Sequence, residues 1–358
     1  MGGAHEPMGE IILANLLTPA VLFFVLGFLA AVLKSDLSLP KGLGESLSIY
    51  LLIAIGLKGG IEMSQHEWQE IIRPVLGTLF LGSLIPIVAL FIARLLSFDL
   101  PNAVAIGAAY GSVSIVTFGA TLAFLDHVGE PYESFMSALV VLLESPAILV
   151  SLLMYAILKT HKVSLQYRVA TVGARSRAAD AIATVKKKEG AQPKSGIFSS
   201  IVREALLGPS VLLLVGSLLI GLIIGERALP VVKPLFIDMY SSVLILFLLY
   251  MGFSAGSRVA TLSRYGLRTL LLGFGFPLLF GALGVWVGSL SGLTTGGMTV
   301  MGVLAGSASY IAAPAAIQKA VPEANPSLYL GLALGLTFPF NLTIGMPLFY
   351  QLAQWIHG

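Results

Sequence analysis

The chain has no cysteine among its 358 residues. That excludes a disulfide framework and a thiolate metal site, and says nothing of redox compartment. Charge is also scarce: 11% of residues are charged against 56% hydrophobic, where soluble domains carry about 25% charge. With a mean hydropathy of +0.92, a water-soluble fold is excluded. No GxxxxGK[ST] motif occurs, so no nucleotide-driven pump is expected in this chain. The five histidines, His5, His66, His127, His161 and His357, all fall in expected loops or termini, which leaves neither a metal cluster nor a buried histidine relay. Hydrolase triads are equally missing. The N-terminus, Met1 to Glu10, is acidic rather than basic and no A-x-A-like site follows its apolar run, so Leu17 to Lys34 reads as a true span and not a signal peptide.

What is present is apolar length. Uncharged stretches cover Leu17–Leu33, Asn102–Leu125, Ala205–Gly225, Met239–Ser257, Thr269–Gln318 and Ala324–Ile356, and a bilayer crossing takes about 20 residues. Broken at turn and charge signals, the chain reads as an all-α integral membrane protein of ten spans, starting near Leu17, Glu45, Arg73, Asn102, Pro131, Leu207, Val232, Arg268, Gly297 and Pro326. Between the fifth and sixth lies a polar linker, residues 160–205, with Lys186-Lys187-Lys188, expected to be a mobile basic loop. Putting it in the cytoplasm places 17 of the 21 Lys/Arg residues inside and both termini outside. Retention beside anionic membrane lipid explains such a loop more simply than a dedicated partner site. No nucleic acid partner is expected.

The chain also matches itself. Leu17-Thr18-Pro19-Ala20-Val21-Leu22 aligns with Leu207-Gly208-Pro209-Ser210-Val211-Leu212, and Leu39-Pro40 with Leu229-Pro230, at a shift of 190. At a shift of 195, Gly107 meets Gly302, Gly111-Ser112-Val113-Ser114 meets Gly306-Ser307-Ala308-Ser309, and Pro131 meets Pro326. Two five-span repeats follow, 1–159 and 206–358, and an odd span count turns the second upside down. Secondary transporters use this plan, with sites on broken helices near the midplane.

The candidate site lies where Gly and small hydroxyls interrupt the fourth and ninth spans. Gly lowers helix propensity and Ser prefers an N-cap, so Gly111 to Ser114 and Gly306 to Ser309 are expected each to stop one half-helix and cap the next. Inversion would then aim two half-helix N-termini, each with about half a positive charge, at each other across the midplane, an anion site without a buried Arg. Close helix packing through small residues is the plainer explanation of each residue alone. Their symmetry favours the site.

Glu144, in Leu143-Glu144-Ser145-Pro146, is the carboxylate expected deep in a span. It is a candidate ligand for a coupling cation or a proton carrier, or else a hydrogen-bonded helix link. Its repeat counterpart, Thr337-Phe338-Pro339-Phe340-Asn341, supplies neutral oxygens beside another helix-breaking proline. Oxygen of these kinds suits sodium. Lys58 is expected near the outer end of the second span, snorkelling to the headgroups.

Several stretches resemble the cyanobacterial sodium-dependent bicarbonate transporters: Ile55-Gly56-Leu57-Lys58-Gly59-Gly60, Gly111-Ser112-Val113-Ser114 with Thr117, Glu144-x-Pro146-Ala147, and above all Val321-Pro322-Glu323-Ala324-Asn325-Pro326-Ser327 with Pro347-Leu348-Phe349. The resemblance covers nearly the whole chain outside the linker. It implies a bacterial inner-membrane homotrimer with a core domain of spans three to five and eight to ten, moving against a gate domain of one, two, six and seven. It also implies sodium as the coupling ion for bicarbonate symport, no other cofactor, and inhibition by a trimeric PII-like cytoplasmic protein. The anion would lie at Gly111, Ser112, Val113, Ser114, Thr117, Gly306, Ser307, Ala308 and Ser309, and the cation at Glu144, Ser309, Tyr310, Thr337 and Asn341. This chain departs from the family pattern at Tyr310, where the cyanobacterial members carry Asp, and at Val116, where they carry Ser. Another small anion, a passive anion or weak-acid channel, and a ligand-sensing membrane receptor stay open on the residues alone.

Overall fold

The computed structural model describes residues 8–40, 42–173, 207–262 and 266–357. Among these the chain is helical, with no strand. Short α1 (Met8–Leu16) bends by 64° into α2 (Pro19–Val32) at the Thr18-Pro19 step, where proline suits the first helical position and Thr18 accepts from the Val21 amide at 3.4 Å. There follow α3 (Leu43–Met63) and α4 (Trp68–Leu95). Next come two half-helices, α5 (Leu100–Gly111) and α6 (Ile115–Val128), and then the long α7 (Met136–Gly173).

The second half opens on α8 (Pro209–Ile224), and short helical turns over Gly225–Asp238 lead to α9 (Tyr240–Leu262). It continues with α10 (Leu267–Leu290), the half-helices α11 (Thr295–Ala305) and α12 (Ala312–Ala320), and a last helical run α13 (Pro326–His357).

Seven helices are long and apolar enough to cross a membrane among the described residues, or eight if the bent pair α1 and α2 forms one span. The protein is a multi-pass membrane protein. The expected count of ten exceeds this in two places: Pro209–Arg258 passes as a single stretch, although turns interrupt it, and Thr295–Ala305 is too short by itself. Several expected starts also move. The third span begins at Trp68 rather than Arg73, the fifth helix at Met136 rather than Pro131, and the helix expected from Val232 at Tyr240. The linker expected from residue 160 is helical as far as Gly173, and the Lys186-Lys187-Lys188 run lies outside the described residues.

Neither expected proline break occurs. α7 is continuous through Pro146. α13 widens into π-turns over Leu332–Thr337 and Asn341–Gly345, on either side of Pro339, so the missing amide donor is absorbed by a wider register rather than by a stop.

Two helix pairs pack at backbone distance, α2 along α9 and α3 along α8. A Cβ added at Gly60 would collide with the Leu218 carbonyl, and one at Gly252 with that of Phe24. Residue numbers rise together along each contact, Gly56 at Leu214 and Gly60 at Leu218, so α3 and α8 run parallel. Among the remaining helices α4 packs on α5 and α7, α10 on α11 and α13, and α12 crosses α5, while α3 and α8 also touch α7, and α9 touches α13.

Candidate functional site

Gly111, the last residue of α5, has its Cα wedged between α4 and α7, which leaves no room for a side chain: an added Cβ would lie 2.8 Å from Pro86 Cβ and 3.0 Å from Ala147 Cβ. Ser112 and Ser114 are extended. Ser114 then caps α6, its hydroxyl accepting from the Thr117 amide at 3.1 Å. In the other half α11 stops at Ala305, and Ser309 Oγ accepts from the Ala313 amide at 3.3 Å at the start of α12.

The two interruptions touch. The Ser309 amide donates to the Ala109 carbonyl at 2.7 Å, and the Ser114 amide to Ser307 Oγ at 3.1 Å. Ser307 in turn donates to the Leu304 carbonyl at 2.7 Å, and Ser114 Oγ to Tyr310 Oη at 3.1 Å. Val113 and Ala308 are buried between them. Ser112 Oγ and Thr117 Oγ1 are buried with no hydrogen-bond partner. The first turns of α6 and α12 thus arrive in one place, each with amides that no helix carbonyl can accept from and a positive dipole end.

Beside this crossing lies a small cavity lined by Val113, Ser114, Ile115, Ser309, Tyr310, Ile311 and Ala312, by Glu144 of α7, and across from them by Leu52 of α3 and Ser210 of α8. The cavity has a volume of about 10 Å³, room for about one water molecule. Glu144 is 2% exposed and its Oε2 has no hydrogen-bond partner. A bare carboxylate so placed needs a cation, a proton or a helix dipole to balance it.

A family model described as the Na+-dependent bicarbonate transporter superfamily matches residues 19–354. The chain belongs to that superfamily. It is a transporter, therefore, and not an enzyme. No curated protein matches the chain.

Within this Na+-dependent bicarbonate transporter superfamily member, the expected cation ligands divide into two groups. Glu144, Ser309 and Tyr310 line one cavity. Thr337 is bonded to Tyr110 Oη at 2.6 Å and to the Gly273 carbonyl at 3.0 Å, while Asn341 donates to the Gly306 carbonyl at 2.8 Å. These two brace the broken spans from α13, with Asn341 Oδ1 buried and unpartnered. Tyr310 presents its hydroxyl to Ser114 and stacks edge-on against Phe338 at 5.8 Å. Among the described residues no three His, Asp or Glu side chains converge as a metal site.

Sequence reasoning missed Leu52, Ser210 and Glu62. Ser210 follows Pro209, the repeat counterpart of Pro19, and stands where the first repeat has Ala20, a signal that could have drawn it in. Glu62 is a second carboxylate within a membrane-length helix, paired with Lys58 at 3.8 Å and carrying a buried, unpartnered Oε2. Lys58 therefore has a partner in its own helix, beyond the snorkelling expected of it.

Proposed function

We propose that the chain is a sodium-coupled bicarbonate symporter of the bacterial inner membrane. The observation that carries this is the crossing itself, where the two broken spans bond through the Ser114 amide to Ser307 and the Ser309 amide to Ala109, beside the unpartnered Oε2 of Glu144. The N-termini attract an anion, and Glu144 a cation.

Charge arithmetic links the two. Two helix ends supply about one positive charge between them, which an ionised Glu144 cancels. A sodium ion held by Glu144 with Ser309 and Tyr310 oxygens restores the positive field, so each ion raises the affinity of the other. The anion is then held by Gly111, Ser112, Val113, Ser114 and Thr117 from one repeat and Gly306, Ser307, Ala308 and Ser309 from the other. Bicarbonate fits this donor set: it is a small planar anion able to accept from amides and hydroxyls together.

The proposed architecture is ten spans in two inverted five-span repeats, counting α8 and α9 separately and α11 with α12 as one broken span. Spans three to five and eight to ten form a core that moves past a gate of one, two, six and seven. Cross-repeat bonds support a core that moves as one piece: Ser309 to Ala109, the Asn325 amide to Asn102 Oδ1 at 2.8 Å, and the Thr294 amide to Glu133 Oε1 at 2.6 Å. Backbone-tight packing of α2 on α9 and α3 on α8 supports a gate that does not shear internally. A cavity lined from both bodies lies on the seam along which one would slide. We propose further that the chain assembles as a trimer and is controlled by a PII-like protein, as its resemblance to the cyanobacterial transporters implies.

The test is uptake of labelled bicarbonate into proteoliposomes with and without an inward sodium gradient. Accumulation that needs the gradient, together with counterflow, marks a coupled carrier. Flux without counterflow indicates a channel, and binding without flux a receptor.

A further inference from the structure

The cavity beside Glu144 is not built by the core alone. Ser210 lines it from α8, and Ser210 stands in the first turn of a helix that begins at Pro209. Parallel packing fixes the depth of that turn. Gly56 of α3 lies against Leu214 of α8, so Leu52 and Ser210, each four residues earlier, are level. Leu52 sits about 13 Å into α3 at 1.5 Å per residue. The first turn of α8 consequently opens at mid-depth, level with the crossing.

The two repeats differ at this point in a way that bears on ligand binding. Thr18 and Gly208 occupy the same repeat position. Thr18 turns its hydroxyl onto the Val21 amide at 3.4 Å and so closes the N-terminus of α2. Gly208 has no side chain to do this, and no side chain caps α8. Ser210 of this open end lines the cavity that Glu144 lines, where Glu144 Oε2 is buried without a partner, and Gly208, Pro209 and Val211 line an adjoining one against Ile148, Ala312 and Ala316.

We propose that the first turn of α8, Gly208 to Val211, is the gate's contribution to the anion site. The Ser210 hydroxyl and the Ser210 and Val211 amides add a third helix N-terminus to those of α6 and α12. This rests on the reading of the crossing as the anion site, and it adds that the complete site needs the core docked at this level of the gate. Three ends carry about one and a half positive charges, an excess over a single carboxylate even before a cation arrives. Sliding the core away from α8 withdraws one end, which weakens anion binding and favours release.

The test uses the full-length, cysteine-free transporter in proteoliposomes with bicarbonate as the probe. Ser210→Ala removes a donor to a charged ligand and is expected to raise the bicarbonate KM about tenfold with Vmax changed less than about twofold. Gly208→Thr installs the cap that the other repeat has. It is expected to raise KM in the same direction while Tm stays level or rises, because a cap strengthens the helix. A purely structural turn predicts the reverse pairing: the cap leaves KM unchanged, and Ser210→Ala alters only stability.

Thiol labelling supplies the second arm. Bicarbonate is expected to slow labelling of Ser210→Cys and of Ser114→Cys, and to leave Gly216→Cys unaffected, since a Cβ at Gly216 meets nothing within 4 Å. Protection of Ser114→Cys without protection of Ser210→Cys, or an unchanged KM in both α8 variants, overturns the gate contribution and leaves the crossing intact. Protection at neither position overturns both.

Discussion

The Ser309 amide donates to the Ala109 carbonyl at 2.7 Å, joining the two broken spans backbone to backbone. Ala109 lies in the last turn of α5, where carbonyls lose their helical partners, so the bond satisfies an oxygen that the break had freed. Asn341 does the same for Gly306 from α13. With these two carbonyls taken up inside the protein, and the Thr117 and Ala313 amides capped by Ser114 and Ser309, the earlier amides of α6 and α12 are the ones left to offer a ligand.

That division predicts which substitutions stop transport without unfolding the chain. Ser114→Leu and Ser309→Leu each place an apolar branch in a cavity with room for about one water. Bicarbonate binding is expected to fall below detection in both; each variant also loses the cap its hydroxyl makes, so Tm falls by several degrees while size-exclusion behaviour stays that of the wild type. Wild-type affinity in both variants would move the anion elsewhere.

A rigid gate makes a prediction about packing. Gly60→Val and Gly252→Val push side chains into the carbonyls of Leu218 and Phe24, and overpacking of this kind costs about 1–3 kcal/mol or more. Both variants should lose several degrees of Tm in detergent. Gly216→Ala, at a position where a Cβ meets nothing, should not. Equal stability of all three would mean that the pairs can part, and the gate would not be a single body.

Orientation can be read chemically because no native cysteine competes. Lys187→Cys is expected to react with an impermeant maleimide only in inverted vesicles, and His5→Cys only in intact cells, as the Lys/Arg bias predicts. Labelling of Lys187→Cys from outside would reverse the topology.

How far the sequence carried can be judged residue by residue. Gly111-Ser112-Val113-Ser114 and Gly306-Ser307-Ala308-Ser309 marked both helix stops because Gly and Ser act locally, through propensity and capping. Glu144 stood out because charge is so scarce in the spans. Pro146 and Pro339 misled, since a neighbouring helix or a π-turn can absorb a lost hydrogen bond, and nothing in the local sequence says which prolines will be absorbed. Thr337 and Asn341, the repeat counterparts of Glu144, are not among the residues lining its cavity and bond instead to Tyr110, Gly273 and Gly306. Ser210 was visible only as half of a repeat match. Its role depends on the register of α3 against α8, a tertiary quantity.

The decisive prediction concerns coupling. Glu144 is 2% exposed with an unpartnered oxygen, and an ionised carboxylate there costs several kcal/mol unless a cation or helix dipoles balance it. Glu144→Gln keeps the shape and one acceptor oxygen but deletes the charge. If sodium is what balances Glu144, the variant should lose sodium-driven uptake, with the sodium concentration for half-maximal rate raised about tenfold or beyond measurement. Anion exchange should survive, because the helix ends that hold the anion are untouched and the opposing charge is gone. The measurement is bicarbonate uptake against sodium concentration at matched protein density, at two external pH values so that a proton in place of sodium is seen as a pH-dependent, sodium-independent rate. Uptake by Glu144→Gln with the sodium dependence of the wild type would make Glu144 a structural link between helices and put the cation site elsewhere.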